Sequence, residues 1–242
     1  MNPKIILEDD QLIAVVKPAG LPTANAARGT TSMFTLLRDR LPAGAFLGVV
    51  SRLDAPVSGV LVMAKTSAAA AELSRQFRER LVEKAYEAVV EGRFPAAIGQ
   101  WCDWHDRIQR QGEERRSQLR PARVGRPASE PNGADAEEEA VAGGDCHVRA
   151  RVVKRLGEIS LVELEPSTGR RHQLRAQLSG RGCPIVGDRT YGARLPFPSI
   201  AGGGPAIALH ARSLRLVHPG TGQALLLQAD WPSAWAERFP LL

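Results

Sequence analysis

The sequence predicts an α+β fold, and three observations carry that prediction. Short apolar runs stand in adjacent pairs around turn residues, at 4–16, 147–166 and 207–232. Stretches with helical spacing separate them, at 30–41, 66–81 and 171–178. The chain has 242 residues and no internal repeat, enough to bury a substantial core as one large domain or two small ones.

The elements follow in order. KIILEDDQLIAVV (4–16) reads as two short strands around an acidic turn at Glu8, Asp9 and Asp10, and KPAGLPTAN (17–25) is a Pro/Gly-punctuated loop with Lys17 at a strand end. Thr30 to Leu41 carries a Thr/Ser start and apolar Met33, Phe34, Leu36, Leu37 and Leu41, which predicts a short helix. GVLVMA (59–64) is a buried strand. Thr66 and Ser67 cap a helix reaching about Leu81, whose Leu73, Phe77 and Leu81 form an inward stripe. KAYEAVVEG (84–92) alternates, with Tyr86, Ala88 and Val90 on one face. From about 106 to 146 the composition changes, first to an Arg-rich stretch and then to Pro, Gly, Ala and Glu. The second part, about 124–146, lacks apolar residues to bury and is expected to be a disordered surface insertion. A hairpin around Leu156 and Gly157, a helix over about 171–178, a turn-rich return at 183–192 and a last strand pair around Pro219 and Gly220 complete the chain.

The 32 Lys and Arg outnumber the 26 Asp and Glu, a net charge of +6 carried mostly by arginine. That balance favours a polyanionic partner, since the guanidinium fork suits phosphates and stacked bases. Three scattered cysteines exclude a disulfide framework. No secretory signal and no apolar run near the roughly 20 residues of a membrane span is visible. A soluble, cytoplasmic protein with no membrane contact is expected.

Three groups of residues suggest chemistry. Arg52 and Asp54 set opposite charges at the mouth of the GVLVMA strand. Arg170, Arg171 and Arg175 bring three guanidinium groups within six positions, and on a helix Arg171 and Arg175 share a face suited to phosphate. Tyr86 is one of two tyrosines and alternates with inward-facing residues, as a core side chain or a platform for a flipped base would. His172, beside the arginines, is expected to touch RNA or to hold a structural hydrogen bond. WCDWH (101–105) offers Cys102, Asp103 and His105 without a second cluster at zinc spacing, so no metal site is expected. A phosphate-binding loop, a dinucleotide fingerprint and a Gly-x-Ser-x-Gly elbow are all missing from the sequence.

Four separated stretches in this order resemble the RluA-type pseudouridine synthases. EDDQLIAVVKPAGLPT is similar to that family's opening strands and Lys-Pro-x-Gly-Leu loop. SRLDAPVSGVLVMAKT resembles its His-Arg-Leu-Asp…Ser-Gly motif, EKAYEAVVEG its Lys-x-Tyr-x-Ala strand, and STGRRHQLRAQLSGRGCPIVGDRTYG its Thr-Gly-Arg-x-His-Gln-Leu/Ile-Arg segment. LHARSLRLVHP resembles its closing strands, so the likeness covers nearly everything except 106–146.

The resemblance implies a mixed, mainly antiparallel sheet with flanking helices and a central catalytic cleft. It implies an RNA pseudouridine synthase acting on ribosomal or transfer RNA as a monomer, with no cofactor. Asp54 would be the catalytic aspartate, Arg175 the arginine that pairs with it and keeps it ionised, and Tyr86 the active-site tyrosine. Arg52, Arg170, Arg171 and His172 would bind RNA. The chain departs from the pattern at Ser51, where the family usually has His, and at Ala176-Gln177, where it has Val-His; both bear on RNA contacts. The whole chain is expected to form one catalytic domain without the N-terminal S4-like RNA-binding domain of many members. The alternative is an RNA-binding module of the same fold that has lost catalysis. A glycosidase-like hydrolase would want two carboxylates about 5–10 Å apart; the motifs offer Asp54 and, beyond it, Asp188, whose expected role is capping a turn.

Overall fold

The acidic turn forms because Asp9 Oδ1 accepts the backbone N–H groups of Gln11 and Leu12 at 2.7 and 2.9 Å. It joins β1 (Lys4–Glu8) to β2 (Leu12–Lys17) in a computed structural model that describes residues 2–24, 30–110, 117–120, 144–198 and 204–240. Ser32 and Thr35 form a reciprocal capping box that opens α1 (Met33–Arg38), a helix shorter than its apolar pattern because Asp39 already closes it. After β3 (Gly48–Val49) and the fully buried β4 (Ser58–Ala64), Thr66 accepts the Ala69 N–H at 3.1 Å and opens α2 (Ser67–Arg78).

This helix ends one turn earlier than its stripe predicts. Arg80 adopts a left-handed backbone (φ 60°), and the Leu81 N–H closes onto the Gln76 carbonyl at 2.9 Å. Leu73 and Phe77 pack inward, but Leu81 is carried off the stripe and is 55% exposed.

The remaining strands are β5 (Glu83–Glu91), β6 (Trp101–Arg110), β7 (Ser117–Arg120), β8 (Gly144–Leu156), β9 (Ile159–Pro166), β10 (Leu209–Val217) and β11 (Ala224–Gln228). Helices α3 (Gln173–Ser179) and α4 (Ser233–Arg238) flank them. Gly157 (φ 56°) turns the predicted β8–β9 hairpin. The last loop is held by His218, whose Nδ1 accepts from the Gly220 and Thr221 N–H groups while Nε2 donates to Asp9 at 2.9 Å. Strand β6 was not anticipated, and the insertion predicted at about 124–146 is shortened at its end: Gly144 to Cys146 already belong to β8. The rest of that insertion, up to 143, lies outside the described residues.

Among the described residues the strands form one mixed sheet in the order β1-β2-β4-β10-β5-β9-β8-β6-β7, with β3 beside β4 and β11 beside β10. Every pairing is antiparallel except β4 with β10, where His210 meets Ser58 and Ala211 meets Gly59. That parallel contact joins the two antiparallel halves, and it sits directly after the Asp54 loop. Gly59 has φ 123°, and a β-carbon there would collide with the Ala211 backbone, so only glycine lets the halves approach so closely.

His210 seals the junction. Ser58 Oγ donates to its Nδ1 at 2.8 Å, its Nε2 donates to the Ala229 carbonyl at 3.2 Å, and it is wholly buried. Burial pushes its pKa down to about 4, with Arg212 also lowering it while the Ala229 bond and Asp230 oppose. The unfolded chain therefore takes up this proton near pH 6.5 and the folded one only near 4. Between those values the unfolded state binds more protons, so stability falls as the pH drops. The urea midpoint is expected to decrease from pH 7 to 4.5, and His210→Gln should flatten that decrease; an equal pH dependence in the variant would place the titrating group elsewhere.

Candidate active site

Asp54 lies in a loop fastened at both ends. Thr23 Oγ1 donates to the Leu53 carbonyl at 2.8 Å and accepts the Leu53 N–H at 3.1 Å. On the other side, the Ala55 carbonyl accepts the Gly20 N–H at 2.8 Å and Lys17 Nζ at 3.1 Å. Lys17, fully buried, also donates to the Pro18 and Leu21 carbonyls at 2.8 and 2.7 Å. Burial pushes its pKa down to about 7, against the pull of the Asp54 carboxylate. The Lys-Pro-x-Gly loop thus works as a clamp beneath the aspartate.

The geometry above the clamp centres on Arg175, which is 5% exposed. Its Nε and Nη2 donate to the two oxygens of Asp188 at 2.7 and 2.8 Å, a bidentate pair, and its Nη1 reaches Asp54 Oδ2 at 3.4 Å. The guanidinium also lies over the Tyr191 ring, 4.8 Å from its centre. Burial opposes the charge, but the bonds to Asp188 and the nearby Asp54 outweigh it and hold Arg175 above its ordinary range. Asp188, 1% exposed, makes no capping bond to the 3-10 turn Arg189–Tyr191 that follows it. The capping role expected of it is replaced by that of anchoring Arg175, a partner hidden in the sequence because Asp before a turn reads as a cap.

His172 differs from expectation as well. It has a left-handed backbone (φ 55°), so the helix begins at Gln173, and Arg171 stays outside it rather than sharing a face with Arg175. The imidazole points inward: Nδ1 meets the Tyr191 hydroxyl at 3.0 Å, and Nε2 stands 3.6 Å from Asp54 Oδ2. Burial pushes its pKa down, with Arg175 and Arg171 adding to the effect and Asp54 opposing it. The result is a mostly neutral ring beside the carboxylate.

Asp54, Tyr86, His172 and Arg175 line one cleft of about 730 Å³, with Arg52 and Arg170 at its exposed edge. Val57, Val60, Leu209 and Leu214 supply apolar wall. Burial, and then the Asp54 carboxylate, push the Tyr86 phenol well above its ordinary value, so it stays neutral. Arg170 lies against Gly144, its Nε 3.4 Å from the Asp145 carbonyl. Arg171 is exposed and does not line the cleft. The loop before α3 is set by Gln173, whose Oε1 accepts from Thr168 Oγ1 and the Arg170 N–H at 2.8 and 3.1 Å.

Of the two departures from the family pattern, Ser51 lines the cleft and Gln177 does not. Gln177 is fully buried and donates to Asp106 Oδ2 at 2.7 Å, while Arg181 pairs with the same carboxylate at 3.0 Å and covers the Trp104 ring. Gln177 therefore serves as an internal bond between α3 and β6. His105 stacks on His147, which faces Asp103 at 3.2 Å; among the described residues no three potential ligands converge to hold a metal ion.

Residues 11–180 match the family model described as RNA pseudouridylate synthase. The chain is 34% identical to tRNA pseudouridine synthase C of Yersinia pestis, over 96% of its own length and 88% of that protein's. It is 33% identical to ribosomal large subunit pseudouridine synthase D of Nitrosomonas europaea over 96% of its length, and spans 63% of that longer protein. The solved structure of human RNA pseudouridylate synthase domain containing 4 superposes with a TM-score of 0.71 at 25% identity, covering 98% of this chain and 93% of that one.

Proposed function

Since the chain belongs to the RNA pseudouridylate synthase family, we propose that it isomerises uridine to pseudouridine in ribosomal or transfer RNA, with Asp54 as the catalytic aspartate. The observation that carries the assignment is the Asp54–Arg175–Asp188 arrangement at the floor of the cleft. Two points of the guanidinium are held by one carboxylate, so the third is aimed at the other. The loop clamp fixes the backbone on both sides of Asp54, and such preorganisation is what a developing charge needs.

The reaction breaks the bond between uracil N1 and ribose C1′, turns the base, and forms the bond from C5 to C1′. The C5 proton leaves and N1 gains one, so mass and oxidation state are unchanged. Asp54 presents an acceptor at the junction of ribose and uracil. Tyr86, neutral at working pH, offers its ring for stacking and its hydroxyl for a hydrogen bond. The apolar wall keeps water from the cleaved intermediate. The target base must first leave its stack, at a cost of a few kcal/mol, which favours uridines in loops. Arg52 and Arg170 stand where they would meet the backbone around it, and Arg171 stands just outside.

The reading extends to a single catalytic domain acting as a cytoplasmic monomer without cofactor. No helix among the described residues is long and apolar enough to cross a membrane. The hydrolase alternative loses its second carboxylate, because both oxygens of Asp188 are occupied by Arg175. Chromatographic analysis of the nucleosides and free bases released from RNA treated with the purified protein tests the assignment. Pseudouridine, of equal mass to uridine, is expected. Free uracil would indicate hydrolysis, and unmodified RNA bound tightly would indicate the inactive module. Mapping pseudouridine across the transcriptome with and without the protein then identifies the substrate uridine.

A further inference from the structure

The cleft has further basic residues beyond those expected to bind RNA, Arg52, Arg170, Arg171 and His172. Arg78 and Arg80 at the end of α2, and Lys84 at the start of β5, line it together with the Asp54 loop. On the same helix Arg75 is balanced by Glu72 and Glu79. Arg78 and Arg80 have no carboxylate partner among the described residues. Lys84 Nζ donates to the Thr168 carbonyl at 2.8 Å, in the Ser167–Arg170 loop. Lys84 thus links the cleft face carrying Arg78 and Arg80 to the loop that carries Arg170. Its cations also work against one another, since burial and then repulsion from Arg80 bring the Lys84 pKa down to about 8.

The backbone at Arg80 carries the same message. Among the described residues only Arg80 and His172 hold a positive φ without being glycine, and both line the cleft. A left-handed residue closing a helix is usually glycine, which has no β-carbon to crowd. An arginine held in that conformation at the cleft, with no acidic partner among the described residues, points to a role for its side chain there.

We propose that Arg78, Arg80 and Lys84 bind an RNA phosphodiester next to the target uridine, so that the substrate strand is held along the α2 rim as well as at Arg170. The inference rests on RNA as the occupant of the cleft. The bland alternative is that the two arginines only complement the carboxyl end of the α2 dipole, which would stabilise the fold and leave affinity untouched.

Arg80→Gly separates these readings, because relief of the left-handed backbone and loss of an RNA contact have opposite signs. With a short labelled oligouridylate as probe, the variant is expected to bind roughly tenfold more weakly, the scale of one charge-assisted hydrogen bond. Its log–log salt slope should be shallower by about 0.7, one phosphate's worth for a single strand. Its melting temperature should equal or exceed that of wild type, and Arg80→Lys should retain most of the slope. Unchanged affinity and slope in Arg80→Gly would overturn the proposal. A lowered melting temperature with parallel losses in Arg80→Gly and Arg80→Lys would also overturn it, since that pattern marks a structural role. Failure of the catalytic reading would appear differently: wild type would bind the oligonucleotide with the same dependence on Arg80 yet form no pseudouridine in any RNA.

Discussion

Asp54→Asn is expected to eliminate pseudouridine formation while leaving the fold and RNA affinity near wild type. Asparagine keeps the shape and removes the charge, so the substitution isolates what the carboxylate does. The environment tolerates the change because Asp54 is 29% exposed on its side chain and its contact with Arg175 is long, at 3.4 Å. Arg175 keeps its two strong bonds to Asp188, so no buried charge is stranded. Thermal melting should therefore shift by no more than a degree or two, whereas single-turnover rates at saturating RNA should fall at least about a thousandfold, the scale of losing a group that acts on the reacting atoms. Product formation within tenfold of wild type would remove Asp54 from the chemistry and leave the cleft as a binding surface.

Arg175→Met should damage both stability and activity. The guanidinium neutralises a carboxylate that has no access to water, and its removal leaves Asp188 buried and unpaired. Breaking a buried pair from one side costs about 3–5 kcal/mol. For a chain of this size each kcal/mol lowers the melting temperature by about 2–4 °C, so a fall of roughly ten degrees is expected. A second substitution distinguishes the two roles. Arg175→Met with Asp188→Leu replaces the whole ion pair by apolar side chains of similar volume, which is often nearly neutral for stability. The double variant should regain most of the lost melting temperature and remain inactive, because nothing then orients Asp54. Recovery of activity together with stability would show that Arg175 serves the fold alone. A single variant as stable as wild type would contradict the buried pairing itself.

Much of the site was legible in the sequence, and the reasons are local. Tyr86 alternates with buried residues, so its inward position follows from strand period alone. Asp54 stands just before an uninterrupted apolar strand, which places it at that strand's end. The strand pairs at 4–16, 156–159 and 217–224 were marked by Asp, Gly and Pro, whose turn chemistry does not depend on distant neighbours.

Some misreadings come from a partner far away in the chain, others from a left-handed backbone. Strand β6 was hidden because its inward face includes Asp106 between Trp104 and Ile108, and a polar residue breaks the apolar alternation. Asp106 can face inward only because Gln177 and Arg181 meet it there. The same contact makes Gln177 a buried brace. His172 was placed on a helix that its own left-handed backbone forbids, and Arg80 ended α2 before Leu81 could join the stripe.

The sequence alone reveals the class of the fold, most of its turns, the Thr66 cap, and which residue types stand at the strand ends where chemistry occurs. Those depend on side-chain period and backbone preference over a few neighbours. Only the tertiary structure decided how the charges are shared. Asp54 and Arg175 are 121 residues apart, and which carboxylate receives the two-point bond depends on the parallel meeting of β4 with β10 and on the turn that buries Asp188. Electrostatic pairing follows distance and burial in space, and neither is written in the spacing of the chain.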